Sequence, residues 1–160
     1  MEKKSIKTLK GLCYAALVLI VLGLVLVCVQ SYFVLTTGSG KGVINWGSPD
    51  MVTKLGIFIG QRVAVLAMAV LCGAFVVNIL RYIKGGSIFS RANVVLLRVM
   101  AVVVPIYSFL SDNMDIACSP GEAGEFGLTD NPFVYTMIVL IIGQLYKLAY
   151  DAAKEQELTI

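Results

Sequence analysis

The chain has 160 residues and a net charge of +3, with 58% of its residues hydrophobic and only 14% charged. That is too apolar for a soluble domain, whose apolar share is near half, so the membrane class comes first and a single domain second. There is no histidine, which excludes imidazole acid–base catalysis, histidine-ligated haem and most mixed-ligand zinc sites.

In chain order, Lys3, Lys4, Lys7 and Lys10 lead into Leu12–Leu35, an apolar run interrupted only by Gln30 and Ser31 near its far end. At 1.5 Å per residue the run exceeds a bilayer core of about 30 Å. It is too long for the apolar region of a signal peptide, and no A-x-A-like site follows, so it reads as the first span. The next stretch, "TTGSGKGVINWGSPD", is rich in glycine and serine and reads as an irregular loop. Its "GSGKG" lacks the preceding strand and the G-K-[ST] ending of a phosphate-binding loop.

The second span, 55–82, carries Arg62 and Asn78 together with Gly56-x-x-x-Gly60 and Ala64. At about 100° per residue Asn78 returns to the Gly60 face, whereas Arg62 falls about 160° from Asn78. The glycines suit close packing inside the chain, and a homo-oligomer formed through Gly56 and Gly60 is the other use of that spacing. Arg62 is expected to snorkel outward or to pair with Asp112 or Asp115. In "KGGSIFSRAN", Gly85 and Gly86 end the span and Ser90 caps the next helix through its hydroxyl. Phe89 has no duty in the topology: turned inward it is a plug, turned outward a docking point.

The third span, 92–111, holds Arg98 and a central Pro105, which predicts a kink with the Ala101 carbonyl freed. "SDNMDIACSPGEAGEFGLTDN" follows as a solvated acidic loop, without the alternating ligand spacing of a calcium site. The fourth span, 133–150, opens after Pro132 and contains Gln144. Asn78 and Gln144 have similar depths, which predicts a contact between them that Arg98 either joins or leaves by snorkelling. These four intramembrane polar residues, Arg62, Asn78, Arg98 and Gln144, are the functional candidates within the spans. Cys13, Cys28 and Cys72 lie in apolar runs and Cys118 in a loop, with no C-x-x-C pair, so neither a disulfide framework nor a metal site is expected.

Charge orients the spans. The amino-terminal lysines and the group Arg81, Lys84, Arg91 and Arg98 are basic, while Asp112, Asp115, Glu122, Glu125 and Asp130 crowd the third loop. Positive-inside counting places both termini and the Lys84 loop in the cytoplasm. The seven tyrosines fall toward span ends and Trp46 in an outer loop, as interfacial belts do. The fold class is an all-α polytopic membrane protein: one domain of four transmembrane helices in a bundle.

Two stretches, "IKGGSIFSRANVVLLRVMA" and the closing "AKEQELTI", together resemble domain of unknown function 2975, a family of small bacterial four-helix membrane proteins. The residues carrying the resemblance are Gly85 or Gly86, Phe89, Ser90, Asn93, Arg98, Glu155, Leu158, Thr159 and Ile160. Where the family often has a glycine before the closing acids, this chain has Ala152 and Ala153. The resemblance implies the bacterial inner membrane and no assigned activity. Its members are often encoded beside a small helix-turn-helix transcription regulator, which implies modulation of such a partner at the membrane, without direct nucleic-acid binding by the chain. Phe89, Ser90, Asn93, Glu155, Leu158, Thr159 and Ile160 are the candidate docking residues on that reading. The alternative is a small-solute transporter or channel component drawing on the four intramembrane polar residues. No paired nucleophile and base suggests an enzyme, and no cofactor is implied.

Overall fold

The computed structural model describes residues 3–36, 50–84, 89–118, 124–128 and 131–158. The described residues form five helices and no strand: α1 Lys3–Thr36, α2 Met51–Lys84, α3 Arg91–Asp112, the one-turn α4 Met114–Cys118, and α5 Asn131–Leu158. Apart from α4, each is long and apolar enough to cross a membrane. The four apolar runs of the sequence therefore become four helices, and the helices extend past the runs. α2 has 34 residues, or about 51 Å of helix against a hydrocarbon core of about 30 Å. An upright crossing would leave several of its turns outside that core.

The surface has the character of a membrane protein. Leu12, Val18, Leu19, Leu22 and Leu26 of α1 are each 53% to 68% exposed, and Leu145 and Leu148 of α5 are 61% and 64% exposed. Aliphatic side chains outward on several neighbouring helices far exceed the isolated apolar patches of a soluble monomer.

The core centres on α3, whose buried residues Asn93, Val94, Leu97, Met100, Ala101, Val104 and Ser108 recur at three and four positions along one side. α3 packs against α2 and α5, and α1 packs against α2 alone among the helices. The long helices therefore pack in the order α1, α2, α3, α5, with α3 between α2 and α5, not as a ring of four equivalent helices. Two glycines face a neighbouring helix, Gly60 tightly and Gly143 at ordinary contact distance. A Cβ on Gly60 would stand 3.3 Å from Leu110 Cδ1, and one on Gly143 would stand 3.6 Å from Leu97 Cβ. Gly60 thus serves packing between α2 and α3, the use expected for it, while Gly56 has open space around it.

α3 runs through Pro105 without interruption. Within the acidic third loop, Met114–Cys118 form α4. Ala117 of α4 is fully buried, joining Ile57 and Phe58 of α2, with Val34, Met114 and Ile116 packed alongside. Trp46 and the glycine-rich first loop lie outside the described residues, as do Gly85 and Gly86.

Candidate functional site

At the end of the molecule where α1 begins and α5 ends, α2, α3 and α5 meet around one asparagine. Ser90 precedes α3 in extended conformation, with φ −136° and ψ 146°, and its Oγ accepts from the Asn93 backbone N–H at 3.2 Å. This is the cap expected from the sequence, and it sets the first turn of α3. Asn93 is 0% exposed. Its Oδ1 accepts from Asn78 Nδ2 at 3.0 Å. Its Nδ2 donates to the Phe75 carbonyl at 3.4 Å and to the Tyr146 hydroxyl oxygen at 3.2 Å. The Ser90 backbone N–H reaches the same hydroxyl at 3.3 Å. Both Asn93 amide hydrogens and its oxygen are thus engaged, as burial demands.

Rings close the cluster. The Tyr146 ring lies 5.7 Å from Phe75 and 5.2 Å, edge to face, from Phe89. Phe89 is partly buried, its ring against Tyr146.

The predicted contact between Asn78 and Gln144 is not formed: Asn78 pairs with Asn93, and Gln144 is exposed. The cause lies in α5. Gly143 faces α3, which turns Gln144 about 100° from that seam and brings Tyr146 back to within about 60° of it, on the other side. The aromatic residue therefore takes the inward place. Arg98 is also exposed and does not join the cluster. Of the candidate docking residues, Ser90 and Asn93 are buried in this cluster, so neither offers a free surface. Glu155 is exposed on α5, while the side chain of Leu158 and all of Thr159 and Ile160 lie outside the described residues.

A second polar group occupies the opposite end, where α4 lies on α2. The Arg62 guanidinium sits 5.0 Å from the centroid of the Phe58 ring, one turn earlier on the same helix, in cation–π contact. Its Nε is buried without a hydrogen-bond partner among the described residues, as is Oε1 of Gln61, a residue only 7% exposed. Arg62 thus turns toward an aromatic face instead of forming the predicted pair with Asp112 or Asp115. Burial pushes the nearby Cys118 thiol up, Arg62 pulls it down, and Asp115 pushes it up again. Asn113 fixes the return of the loop: its Nδ2 donates to the carbonyls of Phe109 and Gly127, and its Oδ1 accepts from Gly127 N–H, each at 2.8 Å. Phe126 then stacks on Phe109 at 6.2 Å.

Sequence reasoning missed Tyr146, Asn113 and Gln61 as structural polar groups. For Tyr146 the available signal was Gly143, whose lack of a side chain marks the face of α5 closest to a neighbour.

Comparison of the chain with protein-family models, with curated proteins and with solved structures finds no match.

Proposed function

We propose that the chain is a multi-pass protein of the bacterial cytoplasmic membrane, with both termini inside, and that it acts as a membrane-bound interaction or regulatory partner. Four span-length helices with aliphatic outer faces support the membrane part. The excess of lysine and arginine at the termini end supports the orientation.

One observation carries the interaction part. α5 continues as helix past the apolar run 133–150 to Leu158, with Asp151, Lys154, Glu155 and Gln156 exposed. The inner-loop residues Ser90 and Asn93 already hold the helices together. The charged end of α5 lies outside that cluster and is the surface we assign to a cytoplasmic partner. A helix-turn-helix regulator is the partner that the resemblance to domain of unknown function 2975 implies.

The test is co-purification in mild detergent of a helix-turn-helix regulator encoded beside the chain. Retention by the full chain and loss on removal of residues 151–160 is the expected result. Equal recovery with and without that segment, or none with either, sinks the reading.

The transport alternative drew on Arg62, Asn78, Arg98 and Gln144 acting together. Arg62 and Asn78 sit at opposite ends of α2, each apart from the exposed Arg98 and Gln144, and no observation favours that reading over the first.

A further inference from the structure

Arg98 sets a physical problem. It lies seven residues into α3, about 10 Å along the axis from Arg91, and it is exposed without a hydrogen bond or ion pair to any described residue. A guanidinium at that depth, facing outward from a membrane helix, needs an anion or a route to the headgroups.

The neighbouring groups share its side. Arg91 and Arg98 are seven positions apart and within about 20° of one face. Relative to Leu97, which meets Gly143 of α5, Arg98 is turned about 100° one way, and Asn93, which reaches α2, about 40° the other way. On α5, Tyr146 turns toward α2, where it meets Phe75. Gln144 and Lys147 turn the opposite way from Gly143, by about 100° and 40°. Because α3 and α5 run antiparallel, both sets flank the same seam on the side facing away from α2. With Leu97 opposite Gly143, Lys147 falls level with Asn93 and Gln144 with Leu96, between the heights of Arg91 and Arg98. Arg91, Arg98, Gln144 and Lys147 are all exposed. The acids of this face, Asp151 and Glu155, come one and two turns after Lys147, toward water. Deeper along the seam are Val102, Met137 and Leu140, at 63%, 59% and 42% exposure, an apolar track suited to an acyl chain.

We propose that the seam between α3 and α5 binds an anionic phospholipid, its phosphate held by Arg98, Lys147 and Arg91, with Gln144 donating a hydrogen bond and a chain lying along Val102 and Leu140. Arg98 supplies the planar fork that matches phosphate oxygens, and Lys147 adds a point charge. This rests on the reading that these helices span a bilayer.

The experiment uses the full chain in neutral detergent, titrated with dioleoyl phosphatidylglycerol, dioleoyl phosphatidylcholine or inorganic phosphate, and counts bound lipid by native mass spectrometry. Phosphatidylglycerol is expected to bind preferentially, weakened about fivefold by Arg98→Gln or by Lys147→Gln and about thirtyfold by both, from about 1 kcal/mol per base. Arg81→Gln, an exposed base at the same end of α2, is expected to leave binding unchanged. Equal binding of phosphatidylcholine, unaltered binding by the double variant, or an equal loss from Arg81→Gln overturns the site. Displacement of the lipid by inorganic phosphate overturns the lipid assignment in favour of a free-anion site. The arginine and lysine have no described intramolecular partners, so helix content by circular dichroism is expected to survive their replacement. Alkaline washing of liposomes separates the two levels: wild-type chain that washes off overturns both the spanning reading and the site. Chain that stays inserted yet shows no lipid preference overturns the site alone.

Discussion

Replacing Asn93 by alanine tests the organisation of the helix core most directly. The wild-type amide makes three side-chain hydrogen bonds between helices, from Asn78 and to the Phe75 carbonyl and the Tyr146 hydroxyl. Bonds of this kind in membrane helices average about 0.6 kcal/mol each, so their joint loss costs about 2 kcal/mol. Asn93 is 0% exposed, so water does not readily replace the lost partner, and the Asn78 amide left behind adds to the penalty. Tyr146→Phe removes only the hydroxyl, keeps both ring contacts, and is expected to cost about 1 kcal/mol. The assay is reversible unfolding of the purified chain in mixed micelles of mild detergent and sodium dodecyl sulfate, followed by circular dichroism. In the double variant the two losses should fall short of additivity by about 0.6 kcal/mol, because the bond they share is removed once. Strict additivity, or an Asn93→Ala variant within about 0.3 kcal/mol of wild type, would falsify the role given to Asn93.

Four further outcomes follow from particular contacts. Ser90→Ala removes the cap on Asn93 N–H and is expected to cost about 1 kcal/mol in the same unfolding assay, with Ser90→Thr retaining most of it. Gly60→Ala should be nearly neutral, because the atom it approaches at 3.3 Å is the mobile tip of Leu110. Gly60→Leu should separate α2 from α3, costing about 1–3 kcal/mol, without changing the oligomeric state in crosslinking. Asn113→Ala frees the Gly127 amide, so limited proteolysis in residues 124–128 should accelerate while the helices stay intact. Alkylation of Cys118 by iodoacetamide at pH 8 reports its thiolate: burial and Asp115 raise the thiol and Arg62 lowers it, so Asp115→Asn should react faster than wild type and Arg62→Gln more slowly. The opposite order would show that the electrostatics around the thiol are misassigned.

The four long apolar helices were legible because hydropathy is a property of the segment. The shared face of Gly60 and Asn78 was legible because it lies within one helix, where 100° per residue fixes the geometry; both positions do meet α3. Between helices the same arithmetic runs out, since each wheel has an unknown zero. Depth alone made Gln144 a partner for Asn78, but α5 faces α3 with Gly143, which turns Gln144 away, and Tyr146 takes that place. Tyr146 had been read as an interfacial belt residue, a role that describes its depth and not its hydroxyl. α4 was missed for a related reason. The acids around it dominate the composition, while Ile116 and Ala117 are the residues that pack.

Asn93 shows how a motif can mislead about its purpose. It stands in a polar stretch beside Arg91, where an asparagine reads as surface, yet it is the third residue of α3 and faces α2 and α5. Ser90 shapes the turn that aims it, and Phe89 covers Tyr146, which completes its hydrogen bonds. These three inner-loop residues therefore form one device for joining helices. A partner that recognised the same side chains would have to take them from that device. Disrupting the Asn93 bonds would then cost about 2 kcal/mol of folding energy, subtracted from any binding. The exposed charges at the end of α5 lie outside that hydrogen-bonded cluster, which is the physical reason to place recognition there.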